Sequence, residues 1–238
     1  MKRLPSIDAL RGGAVLMMVA YHFCYDTTLF GHTHFRLLEG WGWMAWRDVI
    51  VSCFLLLAGV SLVLASQQAY AGFGRRWLQI AAAAALVTVG SMQFFPDGYI
   101  YFGILHFVAL ALLIGRACVP LGRHNLWLGI AVLVAGLTLQ SPIFNPKVWS
   151  WIGFVSQRPQ TEDFVPVFPW LGVVLIGIAI GALWQRRGLV QPAWLARIGT
   201  GAPRWLLYCG RHSLLVYLVH QPILFGGFFL LRWLGSTG

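Results

Sequence analysis

Six stretches of this chain run for about the length of a membrane-crossing helix without a charged residue: 49–66, 77–96, 98–115, 125–146, 164–185 and 212–231. Crossing a bilayer takes about 20 predominantly apolar residues as a helix. A seventh run, 12–25, is shorter, and reaches that length only if its helix takes in Arg11 or Asp26. Backbone N–H and C=O groups have no partner in hydrocarbon, so such runs must close their hydrogen bonds internally. The expected fold is therefore all-α, a polytopic transmembrane helix bundle of about seven spans. Composition agrees: 58% of the 238 residues are hydrophobic and 10% charged, against about 25% charged in soluble domains. A soluble globular domain, a disordered chain and a coiled coil are excluded. With no internal repeat and no low-complexity tract beyond the alanines at 81–85, residues 1–238 read as a single domain.

The formal net charge is +10. In a soluble protein that balance would point to nucleic acid. Here the cations fall between apolar runs, and no basic stripe with interleaved aromatics exists, so no nucleic-acid partner is expected. Lys2, Arg3, Arg11, Arg75, Arg76, Arg116, Arg123, Arg186, Arg187, Arg197, Arg204 and Arg211 fall on one side of an alternating topology. Only Arg36, Arg47, Lys147, Arg158 and Arg232 fall on the other. The positive-inside rule then places the N-terminus in the cytoplasm. Of the acidic residues only Asp8 lies on that inner side. The first run is expected to stay as a helix rather than be cleaved as a signal peptide: no small-x-small site follows it, and Tyr21-His22-Phe23 ends it badly. Cys24, Cys53, Cys118 and Cys209 stand isolated in apolar sequence. They read as packing residues, and no metal site is expected. The long outer connections carry Trp41, Trp43, Trp46, Trp149 and Trp151, which suit an interfacial belt. The inner segment 187–205 reads as a short interfacial helix and turn.

Ionisable groups within a span are costly and mark function by default. His22 and Asp26 are four apart and share a helix face. A carboxylate one turn from an imidazole can fix its tautomer and stabilise the imidazolium; a local helix-end hydrogen bond is the plainer reading. His106 lies inside the fourth run, about two turns after Tyr99 and one after Tyr101. His220 lies mid-way along the last run, two residues before Pro222, where a freed carbonyl invites a polar partner. Asp163 sits at the mouth of the sixth run, and Arg47 and Asp48 at the start of the second. Together they suggest a polar pocket opening away from the cytoplasm. Asp8 and Arg11, with Gly12 and Gly13, form an inner feature that suits either an anionic ligand or a local ion pair.

Several of these residues sit in motifs that resemble one family. Ile7-Asp8-Ala9-Leu10-Arg11-Gly12, then 17–26 with Tyr21-His22 and Asp26, resembles the opening of the heparan-alpha-glucosaminide N-acetyltransferase catalytic family. The segments 54–62, Gly103 to His106, 168–172 with Gly177, and 210–222 continue the resemblance in order over nearly the whole chain. The opening is also similar to that of the wider membrane acyltransferase group, where an acidic residue, an arginine and a histidine recur at this spacing. The resemblance implies acyl transfer, most simply acetyl, from cytoplasmic acyl-CoA to a hydroxyl or amine acceptor across the membrane, commonly a sugar in a glycan or glycolipid. It implies acyl-CoA as co-substrate with no bound cofactor, and, from the family's small bacterial members, the bacterial inner membrane. Carried onto this chain, the catalytic set becomes His22, Asp26 and His106. Arg11, Tyr101, Asp163, His220, Arg47 and Asp48 become the binding set. The family's lysosomal enzyme differs: its catalytic histidine lies in the first far-side loop, where this chain has His32 and His34, and an asparagine stands near the position of His22. This chain also lacks that enzyme's extra spans and luminal domain, so a heparan substrate does not carry over. The same polar residues also suit a transporter or flippase with helices broken at Pro166, Pro169 and Pro222, or a haem or quinone protein ligated by His22, His106 and His220.

Overall fold

The computed structural model describes residues 4–37, 39–66 and 70–236; Lys2 and Arg3, counted above for topology, lie outside the described residues. Among those described the chain is helical, without strands. The helices are α1 (Pro5–Leu29), α2 (Trp41–Ala65), α3 (Tyr70–Phe94), α4 (Ile104–Cys118), α5 (Asn125–Thr138), the single turn α6 (Lys147–Ser150), α7 (Val167–Arg186), α8 (Ala193–Gly201), α9 (Arg204–Arg211) and α10 (Ser213–Ser236). Most run past the apolar stretch that marked them. α2 starts well before residue 49, so Arg47 and Asp48 lie inside the helix, and α3 takes in Arg75 and Arg76. A charge at the membrane edge ends an apolar run but need not end a helix, because its backbone hydrogen bonds are unaffected. The expected inner interfacial segment consists of two short helices, α8 and α9.

Six helical runs among the described residues are long and apolar enough to cross a membrane. One of them, Ile104–Thr138, has 35 residues and holds both the fourth and fifth expected spans. It is not one rod. Gly122 takes φ 54° within a 3-10 segment, Val119–His124, that separates α4 from α5. The fully buried Asn125 fastens this corner, its Nδ2 donating to the carbonyls of Cys118 and Gly122, both at 2.9 Å. α4 and α5 have 15 and 14 residues, about 21–23 Å each at 1.5 Å per residue.

The chain forms two compact units, Leu55–Val190 and the pair Met1–Phe54 with Gln191–Gly238. In the latter, α1 is held along its length by the C-terminal helices, and two glycines make this possible. A Cβ on Gly12 would strike the Leu206 carbonyl, and one on Gly210 the carbonyl of Asp8. The helices meet in the same sense: Asp8 pairs with Arg211, His22 with His220, and Phe30 stacks on Phe228 at 5.0 Å. Beside α1, Met18, Tyr21, Leu37 and Ile50 form a buried cluster. Tyr21 meets Trp43 and Trp46 edge-on at 6.2 and 5.6 Å, contacts worth about 0.5–1.5 kcal/mol each beyond their buried area. So Trp43 and Trp46 pack inward, whereas Trp41 is 82% exposed as a belt residue would be.

The other unit is built on α7, whose Val174, Leu175 and Ile178 are buried. Gly129 of α5 and Gly172 of α7 face each other so closely that a Cβ on either would sit 2.5–2.7 Å from the other's carbonyl oxygen. Lipid tails are as apolar as Leu, so helices in a bilayer gain by close backbone approach, which small residues permit. α5 runs antiparallel to α7, since Gly136 meets Pro169 and Gly129 meets Gly172. α4 runs parallel to α7, with Gly103 against Asp163 and Gly115 against Ile178. The outer faces carry exposed Leu86, Leu137 and Ile180, a surface suited to lipid and unsuited to water.

Replacing Gly172 by Ala is expected to lower the unfolding midpoint of the detergent-solubilised protein by an amount equivalent to about 1–3 kcal/mol. Gly13, whose added Cβ would meet nothing within 4 Å, serves as the control: Gly13→Ala should be neutral or stabilising by up to about 1 kcal/mol. Equal effects at the two positions would contradict the packing just described.

Candidate active site

Two groups of polar side chains stand out, one in each unit, and they differ in how completely their hydrogen bonds are used. In the unit that contains α1 and α10, His22 and His220 meet across the helices with Nδ1 of His22 and Nε2 of His220 3.1 Å apart. His220 Nδ1 lies 2.6 Å from the carbonyl oxygen of Tyr217. A carbonyl can only accept, so His220 carries its proton on Nδ1 and donates it there. Its Nε2 is then the acceptor, and His22 must donate from Nδ1. The His22 ring also hydrogen-bonds the backbone of Met18; with Nδ1 as the protonated nitrogen, Nε2 is the one that carries a lone pair. The network thus fixes both tautomers and presents one imidazole nitrogen able to take a proton.

Asp26 does not orient His22, as the four-residue spacing had suggested. It is completely buried, and its Oδ1 accepts from Nε2 of Gln221 at 2.8 Å. The tautomer-fixing role falls to His220 because α10 packs against that face of α1 and brings an imidazole within reach. Pro222 lies inside α10, which continues through it.

His106 behaves otherwise. α4 begins at Ile104, so His106 stands in its first turn and Tyr99 and Tyr101 lie in the loop before it, not one and two turns earlier on the same helix. The Gly103 N–H donates to His106 Nδ1 at 3.3 Å. On the other side, Nε2 lies 3.0 Å from Thr88 Oγ1, whose own proton goes to the Ile100 carbonyl at 2.7 Å. Nε2 therefore donates. Nδ1 closes the start of α4, the part that an N3 Glu or Gln side chain plays in a capping box, and Nε2 ties the ring to Thr88 of α3. In this arrangement no lone pair remains on the His106 ring.

Asp163 is similarly engaged. Its Oδ2 accepts from the Ile104 N–H at 2.8 Å, placing a carboxylate on the positive end of α4. The Tyr101 hydroxyl meets Ser150 Oγ at 2.6 Å, and Ser150 in turn donates to the Lys147 carbonyl at 3.2 Å. Burial pushes the Tyr101 phenol above its ordinary pKa of 10. Arg47 and Asp48 bond to each other at 3.0 Å, both partly exposed. Arg11 reaches Asp8 at 3.7 Å, and Arg211 binds the same carboxylate at 3.1 Å, so the inner feature of Asp8 and Arg11 includes an ion pair. His32 stacks on Phe228 at 5.7 Å, and both His32 and His34 are exposed. The four cysteines are free, and no group of His, Cys, Asp or Glu among the described residues is arranged to hold a metal.

Sequence reasoning passed over Gln221, Asn125 and Ser150. An amide inside an apolar run is itself a signal, because it too needs a partner in hydrocarbon. Gln221 stands directly between His220 and Pro222.

Residues 3–222 match the family described as heparan-alpha-glucosaminide N-acetyltransferase, catalytic. The chain belongs to this family. The match covers both histidines of the α1–α10 pair and ends at Pro222. None of the curated proteins and none of the solved structures matches the chain. Family membership and the apolar helices together make it an integral membrane protein of an acetyltransferase family.

Two outcomes follow from the satisfied group. Asp163→Ala should cost about 1 kcal/mol, as loss of an N-terminal cap does, and should speed hydrogen exchange at the Ile104 amide. The raised pKa of Tyr101 means that the folded state holds the phenol proton more tightly than the unfolded chain. Its contribution to stability is then complete below about pH 10 and is lost as pH rises through the higher folded value. A pH series of thermal midpoints should show that alkaline loss, and Tyr101→Phe should remove it.

Proposed function

We propose that the protein transfers an acyl group, most simply acetyl, from cytoplasmic acyl-CoA to a hydroxyl or amine acceptor on the opposite side of the membrane, with His22 as general base. The observation that carries this reading is the His22–His220 pair, whose tautomers leave the lone pair of His22 on Nε2, inside a spanning helix of an acetyltransferase family. The acceptor's O–H or N–H gives its proton to Nε2 as its oxygen or nitrogen attacks the thioester carbonyl. The tetrahedral intermediate collapses, the carbon–sulfur bond breaks, and the proton held on Nε2 passes to the departing CoA thiolate. His220 positions His22 throughout and keeps its own Nδ1–H on the Tyr217 carbonyl.

The separation of charge along α1 supports the sidedness. Asp8, Arg11 and Arg211 gather at one end of the α1 packing. His22 lies fourteen residues further on, about 21 Å along the helix axis. The cationic end offers a place for the phosphates of acyl-CoA, whose flexible arm would carry the thioester toward His22. In this reading Arg11 serves the donor, Asp26 belongs to the acceptor end, and the membrane is one that faces a cytoplasmic acyl-CoA pool. The acceptor of the resemblance, a glycan or glycolipid, fits the hydroxyl or amine this chemistry needs.

Purified protein incubated with labelled acetyl-CoA and a membrane extract should label an extract component. His22→Ala should reduce that transfer by about 10²–10⁴-fold, the range of general-base catalysis, without loss of folded protein. His220→Leu should also fall sharply, and His220→Gln should recover part of the rate, because a Gln oxygen can accept from His22 Nδ1. His106→Gln should keep most of the activity, since Gln can serve at the same capping position. Full activity in His22→Ala would overturn the assignment, and a solute transporter would leave acetyl-CoA unconsumed.

A further inference from the structure

Beside the two histidines, a second contact joins α1 to α10, and it is incomplete. Asp26 Oδ1 accepts from Gln221 Nε2 at 2.8 Å, yet Asp26 Oδ2 and Gln221 Oε1 are both buried with no hydrogen-bond partner among the described residues. Asp26 itself is 0% exposed. Leaving a buried acceptor unsatisfied costs about 1–3 kcal/mol, more for a charged group. Here two such atoms stand on adjoining side chains, one helical turn from His22 on α1 and next in sequence to His220 on α10. Both are acceptors, so the group that completes them must bring donors. Two adjacent O–H groups match two acceptor oxygens, whereas an ammonium brings three N–H donors and would leave one over.

We propose that Asp26 and Gln221 form a subsite for the acceptor: they bind a pair of neighbouring hydroxyls of a polyol and so hold another hydroxyl or amine of the same molecule at His22 Nε2. This rests on the acyl-transfer reading for the word acceptor, while the polyol binding itself can be measured without any transfer. Asp26 and Gln221 select the substrate and do not touch the reacting atoms.

The test uses the full-length protein in lipid nanodiscs and the shift of its thermal midpoint with three probes of similar ring size: methyl α-D-glucopyranoside, cyclohexanol and cyclohexylamine. The glucoside should stabilise the protein in a saturable way, and the two probes with one functional group should not. In Asp26→Asn, which keeps an oxygen for Gln221 but turns the bare oxygen into an amide donor, the midpoint concentration for the glucoside should rise about tenfold or more. Gln221→Met should act likewise and serves if Asp26→Asn does not fold; the comparison of probes on the native protein needs neither. Equal shifts from cyclohexanol, a larger shift from cyclohexylamine, or unchanged glucoside binding in both variants would overturn the subsite. Glucoside binding without any acetyl transfer would instead remove the acyl-transfer reading and leave the subsite standing. Transfer to some other acceptor without glucoside binding would do the reverse.

Discussion

Hydrocarbon offers no hydrogen bonds, and that single constraint sorts the polar side chains of this protein. Any N–H, O–H or carboxylate taken into the bundle must find its partner within the chain or from a ligand. His106, Asp163, Tyr101 and Ser150 meet the requirement internally. His106 and Asp163 bond backbone N–H groups at the start of α4, His106 also meets the Thr88 hydroxyl of α3, and Tyr101 and Ser150 bond each other. The α1–α10 group does not close in this way. It leaves one carboxylate oxygen and one amide oxygen without partners among the described residues, the carboxylate one helical turn along α1 from His22. Those two adjoining oxygens are the acceptors that the proposed subsite uses.

The same constraint explains which parts of the molecule were legible in the sequence. Spans could be read because apolar runs of sufficient length have few alternatives. Their ends could not: helices such as α2 and α3 continue through Arg47, Asp48, Arg75 and Arg76, where the backbone remains satisfied whatever the side chain. The start of α4 could have been placed better, since Gly103 followed three residues later by His106 has the spacing of an N-cap and its N3 partner. The shared face of His22 and Asp26 was visible from their spacing of four. Their partners were not, because His220 and Gln221 lie 198 and 195 residues away in sequence, and only the packing of α10 on α1 brings them in. That packing depends on Gly12 and Gly210, whose role shows only when both helices are in hand.

Helix direction decides the number of crossings. α1 and α10 run in the same sense, with Asp8 against Arg211 at one end and Phe30 against Phe228 at the other. Two parallel spans in one chain must be separated by an odd number of crossings. Between them lie α2, α3, α7 and the run Ile104–Thr138. If that run crossed once, the number would be four and α10 would oppose α1. Counted as α4 and α5, reversing at Gly122, it gives five and the observed sense. The packing on α7 agrees: Gly59 and Gly177 bring α2 alongside α7, with Leu56 near Gly177 and Val63 near Gly181, so those two are parallel. α4 is parallel to α7 as well and α5 antiparallel to it. Seven alternating crossings give all of these relations and six do not, so the shortness of α4 and α5 marks two thin passes rather than one long helix. The parallel sense of α1 and α10 is also what lets Arg11 and Arg211 gather on Asp8 at one end and the histidines meet about 21 Å further along the helix.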